Sequence, residues 1–246
     1  MFLRQSRNCQ YHEIIEVIIV SDKTVSQEIS TDPQELVKHP RHLSRTVYDS
    51  LFRMIREREL RGGDSIVEAR VAAKLGVSRT PLREAMQRLE VEGLLQKGAN
   101  RSYQVRKVEL KEYLQSLRVR EVLEAEAVSL AIERVQPENI KQARAAVRSV
   151  KNTSPYDKVA HWKADALVHE LFINCCGNDV MTRMLLSLRV TTQLFEIDRL
   201  ADRLEPDSRE HERILDAIAA RDEESARKHV SNHLRSLFDF AIKSTT

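Results

Sequence analysis

Cysteine, glycine, proline and aromatic residues are all scarce in this chain. Its 246 residues include 3 Cys, 6 Gly, 6 Pro and 1 Trp, and aromatics make up 5%. The cysteines, Cys9 and the adjacent pair Cys175-Cys176, supply no disulfide framework, because neighbouring cysteines rarely bridge each other. That usage points to a reducing cytoplasm. Little glycine and proline beside 31% charged residues points to a helix-rich soluble protein. Long hydrophobic runs are missing too, which excludes a bilayer-spanning segment. The one short apolar run, Ile14 to Val20, is interrupted by Glu16, follows Glu13, and leads to no convincing cleavage site. It could be a strand, an interaction segment or the product of a misassigned start. Residues 1–40 therefore read as an extension, polar from Val25 to His42 and broken by Pro33 and Pro40.

What the chain does hold is organised around Leu75-Gly76-Val77-Ser78-Arg79-Thr80-Pro81-Leu82-Arg83-Glu84-Ala85-Met86-Gln87-Arg88-Leu89. Gly76 can take the positive φ that ends one helix, and Pro81 fits the first turn of the next, so two short helices meet at a tight turn. Leu82, Ala85, Met86 and Leu89 recur at helical spacing and form one apolar face, leaving Arg79, Thr80, Arg83 and Gln87 away from it. An exposed helix start of this kind suits a DNA major groove, although an αα corner with a solvated basic face has the same local pattern. Upstream, Ser44 is placed to cap a helix through Val47, Leu51, Met54 and Ile55, and Ile66 to Leu75 reads as a second helix. Downstream, Leu94 to Lys97 and Tyr103 to Arg106 alternate as a hairpin across Gly98 to Ser102. Charge is divided in the same way: Arg41 to Lys107 holds 15 Lys/Arg against 8 Asp/Glu, whereas the whole chain nets only +3.

The run from Gly76 through Gly93-Leu94 closely resembles the helix-turn-helix of the GntR family of bacterial transcription regulators, and the resemblance extends from about Leu43 to Val108. It implies a winged helix-turn-helix over 41–108 in which Arg70, Ser78, Arg79, Thr80, Arg83 and Gln87 face DNA. The wing-tip residues Asn100 and Arg101 would lie beside the minor groove. Ser102 stands where many relatives have glycine, and Arg70 where many have an acid.

From Glu109 onward strand signals vanish and amphipathic helices follow one another, with expected apolar positions Leu114, Leu117, Leu123, Ala127 and Leu130 in the first. The architecture is thus mainly α: a winged helix joined to an antiparallel all-α bundle over 109–246. Asp165 and His169 are four apart on one helix, His211 lies on the penultimate helix and His233 on the last, so a bundle interior could gather them. Scattered polar residues of this kind are also common as hydrogen-bonded core or surface groups. The segments Arg120-x-x-Leu123-Glu124, Asp165-x-x-x-His169, Glu210-His211-x-x-Ile214 and His229-x-x-x-His233-Leu234 resemble the FCD effector domain of the FadR-type branch of the same family. That resemblance implies a divalent metal ion, zinc first and nickel or manganese as alternatives, held by Asp165, His169, His211 and His233. His229 and His161 would be neighbours of the site, and Arg120 would bind an effector carboxylate.

The expectation is a cytoplasmic homodimeric repressor that binds a palindromic operator in double-stranded DNA and responds to a small organic or sugar acid at the metal. No membrane is involved. Metal-dependent hydrolysis and a purely structural ion are the competing readings of the helical domain.

Overall fold

The computed structural model describes residues 40–98, 102–195 and 199–245. The expectations for the extension before Pro40 and for Asn100 and Arg101 at the wing tip fall outside the described residues. The described residues divide into two compact units, one built from 110–189 and 199–245, the other from 40–98 and 102–109 together with 190–195.

The first unit contains α1 (Pro40–Arg56), β1 (Ser65–Ile66), α2 (Glu68–Leu75), α3 (Arg79–Val91), β2 (Leu95–Lys97) and β3 (Tyr103–Val105). Helix α1 begins before Ser44, because a proline in the first turn forfeits only an N–H that has no intrahelical partner. Ser44 accordingly does not cap it, and its Oγ instead donates to Glu84. Gly76 ends α2 at φ 65°, and its N–H returns to the carbonyls of Ala72 and Ala73. Ser78 then occupies the extended residue before α3, with Arg79 and Thr80 opening the helix ahead of Pro81. The expected apolar face of α3 is buried in full: Leu82, Met86 and Leu89 are at 0% exposure and Ala85 at 2%. It packs on α1, where the Arg88 guanidinium also lies 4.2 Å over the Tyr48 ring.

Ile66 is a strand residue, not the start of the second helix. Ser65 pairs with Gln104 and Ile66 with Tyr103, making an antiparallel sheet of order β1-β3-β2. On the other side of β3, Leu95 pairs with Val105 and Lys97 with Tyr103. Two residues are too few to show alternation, which is why sequence patterning misses β1.

The second unit contains α4 (Leu110–Ala131), α5 (Pro137–Lys151), α6 (Lys158–Ile173), α7 (Asp179–Leu194) up to Arg189, a 3-10 turn (Leu200–Arg203), α8 (Leu204–Ala219) and α9 (Glu223–Thr245). Asp157 caps α6, accepting from the N–H groups of Val159 and Ala160 at 2.8 and 3.0 Å, so that helix starts earlier than its apolar pattern suggests. Asp222 caps α9 by accepting from Ser225 N at 3.0 Å. Within the bundle α4 lies along α9, α5 packs on α6 and α8, and α8 on α9. The buried side of α4 is only partly the expected one. Leu117 and Ala127 are buried as expected, but Leu114 and Leu123 are half-buried and Leu130 is 40% exposed, whereas Tyr113, Arg120, Glu124, Val128 and Ala131 face the interior. Hydropathy misplaces the stripe because its centre is an ion pair. Of the cysteines, Cys175 and Cys176 are both buried, and Cys176 is free. No helix among the described residues is long and apolar enough to cross a membrane.

Candidate functional site

In the first unit, Arg70, Ser78, Arg79, Thr80, Arg83 and Gln87 are all exposed, arranged along α2, the turn and the outer side of α3. The turn aims the start of α3 outward because its four apolar residues fix the opposite side. Arg83 Nε sits 2.9 Å from Glu68 Oε2, with 60% of the arginine side chain still exposed. An exposed pair of this kind contributes little, about 0–1 kcal/mol, so Arg83 can leave it for a phosphate or a base edge at small cost.

In the second unit, the structure brings Asp165, His169, His211 and His233 together, each offering one donor atom within 4.8 Å of the others. Helix α6 supplies the first two one turn apart, α8 supplies His211 and α9 supplies His233. All three histidines are at most 2% exposed. Two carboxylates set the orientation of the rings. Glu124 Oε2 accepts from His169 Nδ1, and Glu210 Oε2 accepts from His233 Nδ1 at 2.9 Å. With Nδ1 carrying the hydrogen, each ring turns Nε2 toward the centre. The two Nε2 atoms face each other at 3.2 Å. Asp165 Oδ1 lies 3.4 Å from His169 Nε2 and 3.6 Å from His211 Nε2. His211 Nε2 is buried with no hydrogen-bond partner among the described residues. Convergent imidazole lone pairs, a carboxylate oxygen and an orphaned ring nitrogen fit a divalent cation of the borderline class.

Electrostatics agree with this fit. Burial disfavours charge on Asp165, but Arg189 and His169 outweigh it and hold the carboxyl well below its usual range. Glu124 behaves alike, with burial overcome by Arg120 and His169. Burial, reinforced by His233, drives the His211 imidazole well below its ordinary value and keeps it neutral, as a ligand must be. Burial also acts on His169, yet Glu124 and Asp165 prevail and raise it.

Around this cluster lie His161 and Arg120, which the sequence reading names, and Arg189, Arg203 and Asp207, which it does not. Arg189 Nη2 donates to Asp165 Oδ2 at 2.9 Å. Arg203 engages Asp207 at 2.7 Å and Glu210 at 2.5 Å. His161 Nε2 stands 3.2 Å from Asp207 Oδ2, with its Nδ1 on the Tyr156 hydroxyl. A second grouping of Asp207, Glu210 and His233 exists, but Arg203 already occupies both carboxylates. Arg120 is 1% exposed and its Nε holds Glu124 Oε1 at 2.7 Å, so the pair is interior rather than on a helix surface.

Comparison with known proteins accords with both halves. Residues 43–105 match the family described as bacterial regulatory proteins, gntR family, and residues 115–236 match the FCD domain. The chain is 29% identical over 180 residues to the Nta operon transcriptional regulator of Aminobacter aminovorans, covering 73% of this chain and 85% of that protein. It is 25% identical over 190 residues to a probable D-xylose utilization operon transcriptional repressor of Paenarthrobacter nicotinovorans, covering 76% and 84%. Among solved structures, E. coli McbR/YncC superposes with a TM-score of 0.70 at 21% identity, over 83% of this chain and 99% of that one, a likeness of fold. The exposed helix-turn-helix, the helical unit that follows it in sequence and these matches together make the chain a DNA-binding transcriptional regulator, not an enzyme, belonging to the GntR family in its FCD-domain branch.

Proposed function

We propose that the chain is a cytoplasmic, homodimeric, effector-responsive repressor with a domain boundary near 108–109. Its helical domain holds a divalent metal through Asp165, His169, His211 and His233. The observation carrying the reading is the set of three inward-turned imidazole nitrogens with Asp165 Oδ1, in the same chain as an exposed, basic recognition helix. Each subunit presents Thr80 to Gln87 to a major groove, with Arg79 and Arg83 reading base edges and Ser78 and Arg70 fixing register on phosphates. Asn100 and Arg101 of the wing would add minor-groove contacts.

When bound, the cation supplies a Lewis-acidic centre with open coordination positions for the carboxylate of a small organic or sugar acid. The protein's own groups do the rest. Glu124 and Glu210 fix the tautomers of His169 and His233, and Arg120 tethers Glu124, for which an effector carboxylate would compete. Zinc is the first expectation for three imidazoles and a carboxylate, with nickel and manganese as alternatives. Repression is supported by the similarity to the probable repressor of Paenarthrobacter nicotinovorans, and its relief by an effector would follow from coupling between the two domains.

Metal analysis of the purified protein tests the metal-centre half of this proposal. One equivalent of a divalent ion in the wild type, lost in His211→Ala with helix content retained, supports a sensing centre. Unfolding of His211→Ala would make the ion structural, and a wild type that binds no divalent ion would overturn the reading.

A further inference from the structure

We propose that Arg58 is a clasp on the C-terminal end of α7, and that through it occupancy of the metal centre is felt in the DNA-binding unit. The coupling half rests on the metal-centre reading above. Arg58 follows α1 by two residues and has φ 62°, in the left-handed region. A side chain with a Cβ resists that region, so glycine would make this turn out of α1 without strain. The chain turns there all the same, with Arg58 N–H on Ile55 O at 3.2 Å and Leu60 N–H on Met54 O at 3.0 Å. Backbone geometry gives no reason for an arginine; its side chain does.

The guanidinium reaches the end of α7. Nη1 donates to Leu194 O at 3.1 Å, and Nη2 donates to Gln193 O and Phe195 O at 3.1 Å each. The last carbonyls of a helix lack intrahelical donors and carry the negative end of its dipole, so one fixed cation satisfies three acceptors and the charge together. With Leu194 at 2% and Phe195 at 8% exposure, water has little access to take its place. Arg58 and residues 190–195 belong to the same compact unit, the one that carries the helix-turn-helix.

Helix α7 extends the reach of the clasp. Among the described residues it is the only helix divided between the two units, and up to Arg189 it belongs to the helical one. Arg189 Nη2 donates to Asp165 Oδ2 at 2.9 Å, while Asp165 Oδ1 faces His169 and His211. From Arg189 to Gln193 the helix rises about 6 Å, roughly one turn. A turn held by its own hydrogen bonds moves as a piece, so a shift of the Asp165 carboxylate reaches the carbonyls that Arg58 holds. Without Arg58 the shift stops at the last turn of α7.

The test is amide hydrogen exchange read by mass spectrometry on full-length protein, with and without Co2+, in the wild type, Arg58→Gly and Arg58→Lys. In the wild type cobalt should slow exchange at 158–173 in the helical unit and at 54–60 and 190–195 in the DNA-binding unit. The expected change is about fivefold or more, the lower end of ordinary couplings. Arg58→Gly suits the φ of its position, so it removes the clasp without straining the turn. It should still bind cobalt and keep the response at 158–173 but lose the one at 54–60. Arg58→Lys, with one ammonium for three carbonyls, should fall between, and it guards against a poorly folded glycine variant. An undiminished response at 54–60 in Arg58→Gly, or a wild-type response confined to the helical unit, would overturn the proposal and leave the metal-centre reading standing. A wild type that holds no cobalt would instead sink the metal-centre reading, and the coupling with it.

Discussion

Arg79 and Arg83 are both exposed at the start of α3, but among the described residues only Arg83 has a carboxylate partner, Glu68, at 2.9 Å. Replacing Arg79 by alanine should weaken binding to a specific operator by about 1–3 kcal/mol if it pairs with a guanine edge. Glu68→Ala, which removes the competitor for Arg83, should strengthen binding to any duplex; fluorescence anisotropy with specific and scrambled DNA separates the two effects. In the helical unit the decisive residues are buried ions. Arg120→Met leaves Glu124 at 0% exposure without its cation, and breaking a buried pair in this way costs about 3–5 kcal/mol, measurable by urea unfolding. Glu124 and Asp165 are held below their ordinary values despite burial. A folded value below the unfolded one means stabilisation fully present above about pH 4 and lost as pH falls through the folded values. His169 runs the other way, its raised value giving stability that is full below about pH 6.5 and lost as pH climbs through it. Melting of chelator-treated protein should therefore fall steeply on the acid side, and Glu124→Gln should flatten that limb. At this scale the four metal-ligand candidates were named through the family resemblance, since spacing alone joins only Asp165 and His169 on one helix. Arg189 and Arg203 were not, because an arginine reads as surface until its helix phase is known.

At the scale of elements, the helix-turn-helix rests on few positions. Gly76 adopts φ 65°, a region that β-branched residues resist, so Gly76→Val should destabilise the first unit through backbone strain even though an added Cβ meets nothing within 4 Å. Leu89 is fully buried in the face that seats α3, and Leu89→Ala should cost about 2–5 kcal/mol. Thermal melts followed by circular dichroism test both. The α3 face was readable because four apolar residues keep strict helical spacing there. Helix α4 was harder, since Arg120 and Glu124 occupy interior positions and displace the apparent apolar stripe toward Leu114 and Leu123. Strand β1 was missed because Ser65 and Ile66 are a strand only through pairing with Gln104 and Tyr103, 38 or so residues away in sequence, which no local pattern encodes.

Across the whole molecule, function follows from how charge and chemistry are divided. The formal net charge is only +3, yet the segment carrying the helix-turn-helix is strongly basic and the buried acids and histidines lie in the helical unit. The sequence alone made this division visible, because a charge count by segment needs no coordinates. The orientation of the histidine rings did need them, since it depends on Glu124 of α4 and Glu210 of α8 reaching across to His169 of α6 and His233 of α9. Binding to DNA through so basic a segment should weaken steeply with salt, by about a factor of ten or more per several phosphate contacts over a fourfold salt increase. The account stands most directly on selection of bound sequences from random duplex DNA by the full-length protein at two salt concentrations. It predicts an enriched palindrome, bound by two copies of the chain and lost when Arg79 or Arg83 becomes alanine. Salt-sensitive binding with no enriched sequence, in the presence and absence of divalent metal, would contradict it.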